Sequence, residues 1–259
     1  MSPSRDSRRR EDLDRFYHLL DVLSQRLGGP RLLRDCGGRD GWPERGVYFF
    51  FEDGEMREDG RRPRVLRVGT HALSGSSRTT LWKRLAQHRG TLSGSRAGGG
   101  NHRGSVFRHH VGTALLARDG YPEDVRRAWA SPRADGRIRD IEHPLERAVS
   151  EHIRRMPFLW LAVPDAPGRD SHRGYLEANV IGLLSNYSRE PIDPPSAGWL
   201  GRWAESPKVR ESGLWNVNHA EQGYDPAFLD VLERYVSGLA ASSGVIDRPR
   251  GHDEGRTSS

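Results

Sequence analysis

The chain has 259 residues, 34% hydrophobic and 29% charged, which fits one medium-sized domain with polar extensions better than two full cores. Lys+Arg of 41 against Asp+Glu of 35 leaves a formal charge of +6. The positive side is almost all arginine, whose guanidinium forks onto phosphate, so nucleic acid is the favoured acidic partner. A single cysteine, Cys36, excludes an internal disulfide framework and a CxxC zinc pattern. No stretch approaches the roughly 18 consecutive apolar residues that a membrane span needs, and the basic start of the chain lacks the apolar run of a signal peptide. A cytoplasmic protein of a reducing compartment is expected.

In chain order, residues 1–10 are polar and basic and read as a disordered tail. Leu13, Phe16, Leu20, Leu23 and Leu27 then follow helical spacing until Gly28, Gly29 and Pro30 stop the helix. This helical extension, 11–40, is expected to dock outside the central unit. GVYFFFE (Gly46 to Glu52) and RVLRVGTH (Arg64 to His71) read as a two-stranded hairpin with a long charged loop. TTLWKRLAQHRG (Thr79 to Gly90) reads as a short helix. Ser93 to Ser105 is Gly/Ser-rich and basic, a flexible connector able to wrap a nucleic-acid backbone. Helices are predicted over Val106 to Leu116 and Leu145 to Met156, a buried strand over Pro157 to Val163, and helices again over Tyr175 to Leu184 and Phe228 to Leu239. Residues 189–241 form a C-terminal loop and helix. There Trp199, Trp203 and Trp215 suggest a secondary core, and the polar SGLWNVNH (Ser212 to His219) is placed to complete a site or contact bases. Residues 242–259 read as a second disordered tail.

Chemistry-bearing residues recur where the hairpin meets the helix after it. At about 100° per residue, Arg84 and His88 fall on the edge of the apolar stripe made by Leu81 and Leu85, facing the sheet. An arginine there needs an anion or a carboxylate partner, because burying it alone costs several kcal/mol. In YLEANVIGLL, Glu177 lies inside the apolar arc, so it must be neutralised, paired with a cation or bound to a metal. A structural ion pair between Glu177 and Arg84 and a metal on Glu177 both satisfy this. Tyr48 points to the opposite face from Val47 and Phe49. As a general base its phenolate would need stabilising by Arg84, a protonated His88 or a metal. His102, His109 and His110 lie close together, but with the one cysteine remote at Cys36 a zinc site is not expected, and Arg108-His109-His110 reads as a solvated or phosphate-facing patch.

Together these residues resemble the GIY-YIG nuclease superfamily, in its restriction-enzyme-like form. Gly46-Val47-Tyr48 stands where the first tripeptide belongs and Arg67-Val68-Gly69 where the second does. The helix with Arg84 and, four residues on, His88 resembles the family's arginine helix, and Glu177 its metal-binding glutamate. The resemblance covers 44–188, with an insertion over 90–156. It implies an α+β fold, a small antiparallel β-sheet flanked by helices, elaborated here by helical parts at both ends. It further implies a phosphodiesterase using Mg2+ or Mn2+: Tyr48 as base, Arg84 on the phosphate, His88 assisting proton movement and Glu177 holding the metal. Two departures stand out. Arg67 replaces the tyrosine that opens the second motif, a cation able to bind phosphate or acidify Tyr48 but also a mark of lost activity, and the family's later asparagine has only Asn186, or Asn179, as its nearest counterpart.

The expected function is a divalent-metal-dependent endonuclease acting on DNA, double-stranded by preference. One such site nicks one strand, so double-strand cutting would call for a dimer or a second visit. The alternative, motivated by Arg67, is a nuclease fold that binds or scaffolds nucleic acid without turnover.

Overall fold

The computed structural model describes residues 5–168 and 170–239; the expected C-terminal tail, 242–259, lies outside the described residues. The chain folds into α1 (Arg5–Leu27), β1 (Arg31–Leu32), β2 (Gly46–Phe50), β3 (Arg67–Gly69), α2 (Leu81–Arg89), α3 (Val106–Asp119), α4 (Glu123–Ala130), α5 (Gly136–Arg155), β4 (Pro157–Ala162), α6 (His172–Leu184), α7 (Pro207–Ser212) and α8 (Phe228–Gly238). The strands form one antiparallel sheet in the order β1-β4-β2-β3. This is the α+β architecture expected, a small antiparallel sheet flanked by helices.

Strand alternation divides the sheet between two cores. Val47, Phe49, Val68, Leu159 and Leu161 face α1, α6 and α8, where they meet Phe16, Leu20, Val180, Ile181 and Leu232. Tyr48, Phe50, Phe158 and Trp160 face α2, α3 and α5, where they meet Leu81, Leu85, Phe107, Val111 and Val149. Because helices cover both faces, β2 is buried at every residue, and that accounts for its unbroken apolar run. No described helix is long and apolar enough to cross a membrane.

Several elements differ from the sequence reading, each for an identifiable reason. Helix α1 begins at Arg5, so residues 5–10 are helical, and its apolar face is core rather than an appendage. Arg9 fixes this end. Its guanidinium is buried and donates to the carbonyls of Leu183 (3.0 Å) and Ser185 (2.8 Å), to Glu190 O and to Asn186 Oδ1, satisfying acceptors that the C-terminus of α6 cannot pair within the helix. Helix α5 starts at Gly136, capped by Asp135, and runs through Pro144, which masks its beginning in the sequence. Helix α4, with Val125 and Trp129 buried, was not foreseen.

The segment 93–105 is tied down rather than free. Thr91 N–H bonds Gly99 O, Gly98 N–H bonds Thr91 O, and Arg96 pairs with Asp140. Gly100 answers to packing: a Cβ there would sit 2.3 Å from the buried Arg108 guanidinium. Of the three tryptophans expected in a secondary core, Trp199 and Trp215 are buried and Trp203 is half exposed.

Arg9→Ala is expected to lower stability by about 2–4 kcal/mol, since it orphans several buried carbonyls, whereas Arg8→Ala, on the exposed face, should change it by less than about 0.5 kcal/mol. Urea unfolding of the two variants beside the wild type checks this; equal midpoints would contradict the capping role.

Candidate active site

The site grows from one gap in the sheet. Tyr48 on β2 lies opposite Gly69 on β3, and a Cβ at Gly69 would fall 2.2 Å from the phenol oxygen. Only glycine leaves room for that ring, which is the physical content of the glycine in the second tripeptide. The phenol is fully buried and reaches His88 on α2, with Tyr48 Oη 2.8 Å from His88 Nε2.

Helix α2 is built to deliver that imidazole. Thr80 caps its N-terminus by accepting from Lys83 N–H, and Gly90 at φ 81 ends it. Leu81, Leu85 and His88 form its buried stripe. Arg84, one turn before His88, is half-buried. One of its nitrogens donates to Gln87 Oε1 at 3.1 Å and Gly104 O at 3.4 Å, while its Nε has no partner.

Arg67 on β3 enters the same side of the sheet, over the Phe107 ring at 5.6 Å. It is buried, donates once, to Trp215 O at 3.1 Å, and leaves Nε unpartnered. Glu177 on α6 is half-buried. Its Oε1 accepts from Thr70 N–H at 3.2 Å, directly after Gly69, and the carboxylate makes no second hydrogen bond among the described residues. The ion pair between Glu177 and Arg84 left open by the sequence does not form. Arg67 and Arg84 instead act on Glu177 through space, and on His88 as well.

Burial pushes the Glu177 carboxyl above its ordinary range, and Arg67, His219, the Thr70 amide and Arg84 pull it back only in part. Burial, reinforced by Arg84, Arg67 and Arg108, holds His88 well below the usual imidazole value. His88 is therefore neutral at physiological pH. A ring held neutral in this way does not bring the positive charge with which a protonated His88 would stabilise a phenolate.

Asn186 is occupied elsewhere: its Oδ1 accepts from Arg9 and Ile192 N–H, and its Nδ2 donates to Ile192 O. Asn179 bridges Tyr175 O and Asp225 N–H. The asparagine at this sheet edge is Asn216, which accepts from Val68 N–H at 3.1 Å and donates to Val68 O at 2.9 Å. With Trp215 N–H on Leu66 O, it pairs with β3 and sets the carbonyl that Arg67 uses. The polar density of SGLWNVNH was the available signal. His219, from the same segment, holds φ 63, uncommon for a residue with a side chain. With Ala178, the neighbour of Glu177, it lines a cleft of about 890 Å³.

Among the described residues, two places could hold a cation. His102, Glu142 and Glu146 bring ligand atoms within 4.8 Å of one another, yet both Glu142 oxygens take the Arg103 fork at 2.7 and 2.8 Å. Glu146 is bonded by Arg108, by His102 N–H at 2.7 Å and by His102 Nδ1 at 2.9 Å. That group is already neutralised and does not fit a metal. Glu177 fits better, with spare lone pairs and no cation bonded to it, and Mg2+ often takes only one or two protein carboxylates. Nor is Arg108-His109-His110 a surface patch. Arg108 is fully buried, and His110, with both ring nitrogens unpartnered, is depressed to about 4 by burial.

The sequence profile of the GIY-YIG domain matches residues 7–242, far beyond the 44–188 that the motifs alone mark out. No curated protein matches the chain, and no solved structure does.

The raised Glu177 carboxyl has a sign that can be checked. Because the folded state holds that proton more tightly than the unfolded chain does, this contribution is intact below about pH 4, the unfolded value. It is lost as pH rises through the folded value. Glu177→Gln should therefore raise Tm near neutral pH in metal-free buffer, at about 2–4 °C per kcal/mol for a chain of this size, and give no gain near pH 4. A neutral-pH Tm below that of the wild type would contradict an uncompensated carboxylate.

Proposed function

Since the chain belongs to the GIY-YIG domain family, a family of nucleases, we propose that it is a divalent-metal-dependent DNA endonuclease, active in the cytoplasm on double-stranded DNA. Its base would be Tyr48, with Arg67 and Arg84 on the phosphate and Glu177 holding Mg2+ or Mn2+. The observation that carries the reading is the 2.8 Å contact between Tyr48 Oη and a neutral His88.

In this reading the phenol passes its proton to His88 Nε2 as the phenolate oxygen takes one from an attacking water. A new P–O bond forms to that water oxygen, and the opposite P–O bond breaks to release an alkoxide, which takes a proton from solvent. With the product gone, the relay runs in reverse: His88 gives its proton back to the Tyr48 oxygen as the phenol gives its own to solvent. The unpartnered guanidinium nitrogens of Arg67 and Arg84 meet the charge that grows on the non-bridging oxygens. A divalent cation on Glu177 would supply Lewis-acid stabilisation of the leaving oxygen. Tyr48 is fully buried, so a phosphate can reach it only by opening the seam between β3 and α2. Arg84, restrained only by Gln87 and Gly104, is the side chain best able to swing aside.

A nucleic-acid partner is supported by charge. Lys83, Arg96 and Arg139, with Glu142 and Glu146 deeper in, line a cleft of about 640 Å³ on the outer side of α2. Cutting both strands would call for a dimer or a second visit. The same full burial of Tyr48 favours a second reading, a nuclease fold that binds nucleic acid without turnover.

Plasmid DNA incubated with and without Mg2+ or Mn2+ separates the two. Metal-dependent cutting that falls at least about 100-fold in Tyr48→Phe, Arg84→Ala and Glu177→Ala is the expected result. Binding without cutting in either metal favours the second reading, and undiminished cutting by Glu177→Ala removes the metal from that residue.

A further inference from the structure

A second hydroxyl faces His88 from the side away from Tyr48. Ser105 Oγ lies 2.9 Å from His88 Nδ1, and Ser105, His88 and Tyr48 are all buried. Ser105 is also the N-cap of α3, accepting from Arg108 N–H at 3.3 Å. Arg108, one turn on, donates to the His88 carbonyl at 2.8 Å and to Ser150 Oγ at 2.9 Å, and pairs with Glu146. The first turn of α3 therefore grips His88 at both its ring and its backbone. We propose that Ser105 is a positioning residue that holds the His88 proton on Nδ1, so that Nε2 stands as the acceptor for the Tyr48 phenol. The inference rests on the reading of Tyr48 as the base.

The argument is one of donors and acceptors. A neutral imidazole carries one N–H and one bare nitrogen, and here each faces a hydroxyl. With the proton on Nε2, the ring would donate to the phenol oxygen, leaving the phenol O–H, which has no other partner among the described residues, buried and unsatisfied. With the proton on Nδ1, the phenol donates to Nε2 and Nδ1–H donates to Ser105 Oγ. The second lone pair of that oxygen keeps the Arg108 N–H. The donor then left over is the serine O–H, a weaker acid than phenol and the less costly one to strand. Histidine in water favours the proton on Nε2, so the Nδ1–H form needs a fixed acceptor, and which nitrogen carries the proton follows from the bond made by the other side of the ring. A neutral hydroxyl in that place also differs from a carboxylate: it orients the ring without charging it, which keeps Nε2 free to accept. The groups facing His88 from its neighbours are Tyr48 on β2, Arg84 on its own helix, Arg67 on β3 and Arg108 on α3; none supplies an anion.

The full chain, with its histidine rings labelled with nitrogen-15, decides the point by NMR without any need for activity; His88→Asn assigns the signals. In the wild type, His88 should show a protonated Nδ1 and a bare Nε2; the reverse pattern overturns the inference. Ser105→Gly removes the hydroxyl at a cost to the helix cap of only a few tenths of a kcal/mol. It should shift His88 towards the Nε2–H form and slow metal-dependent cutting at least about 10-fold. Ser105→Thr should restore both to within about 3-fold. An unchanged His88 spectrum in Ser105→Gly overturns the inference even when cutting falls. Because the spectra read Ser105 and the plasmid assay reads the nuclease, failure of one is distinguishable from failure of the other.

Discussion

The contact between the Tyr48 phenol and the His88 imidazole, through the gap left by Gly69, is the constraint on which the arrangement depends. It fixes how close α2 lies to the sheet and demands a residue without Cβ at the facing position of β3. It also requires a neutral ring in a buried seam. Behind it stands a polar layer: Ser105 on the ring, Arg108 on the His88 carbonyl, and Glu146 and His102 behind Arg108. Helices α3 and α5 thus do more than cover one face of the sheet. They hold the imidazole from the side opposite the phenol, so the segment between α2 and β4 is part of the site's support.

Charge pairing elsewhere in the protein shows why Arg67 stands apart. Among the described residues, the buried guanidiniums of Arg57, Arg64, Arg108 and Arg173 each meet a carboxylate, and Arg9 meets a cluster of carbonyls. Arg67, equally buried, has one hydrogen bond to a carbonyl and no carboxylate. Half-buried Arg84 has no ion pair either. A buried cation left in that state costs several kcal/mol relative to a paired one, and the nearby Glu177 is held raised by burial rather than joined to either arginine. Two cations and one anion that do not bond one another are what the proposed function asks for, a phosphate meeting the guanidiniums and a divalent cation meeting the carboxylate. Arg67 in place of the family's tyrosine adds a fixed positive charge to that place.

Much of this was legible in the sequence because it is periodic. Alternation in VYFFF put Tyr48 on the face opposite Phe49, and the helical wheel turned Arg84 and His88 towards the sheet and Glu177 into an apolar arc. What periodicity cannot carry is a partner far along the chain. Arg9 reads as tail because the carbonyls it caps are some 175 residues away. Asn216 was invisible as the β3 edge partner because it pairs through its side chain, and Ser105 sat in a stretch whose glycines suggest flexibility until Arg108 is seen packed against one of them. The charge state of His88 is hidden for a related reason: spacing places the ring near arginines, but only the fold shows how completely it is buried.

Anomalous diffraction from crystals of the protein grown with Mn2+ and a short DNA duplex would locate metal and phosphate together. A manganese peak on the Glu177 carboxylate, with a phosphate between Arg67 and Arg84, is the expected result. Manganese among His102, Glu142 and Glu146, or a duplex bound with neither arginine touching its backbone, would contradict it.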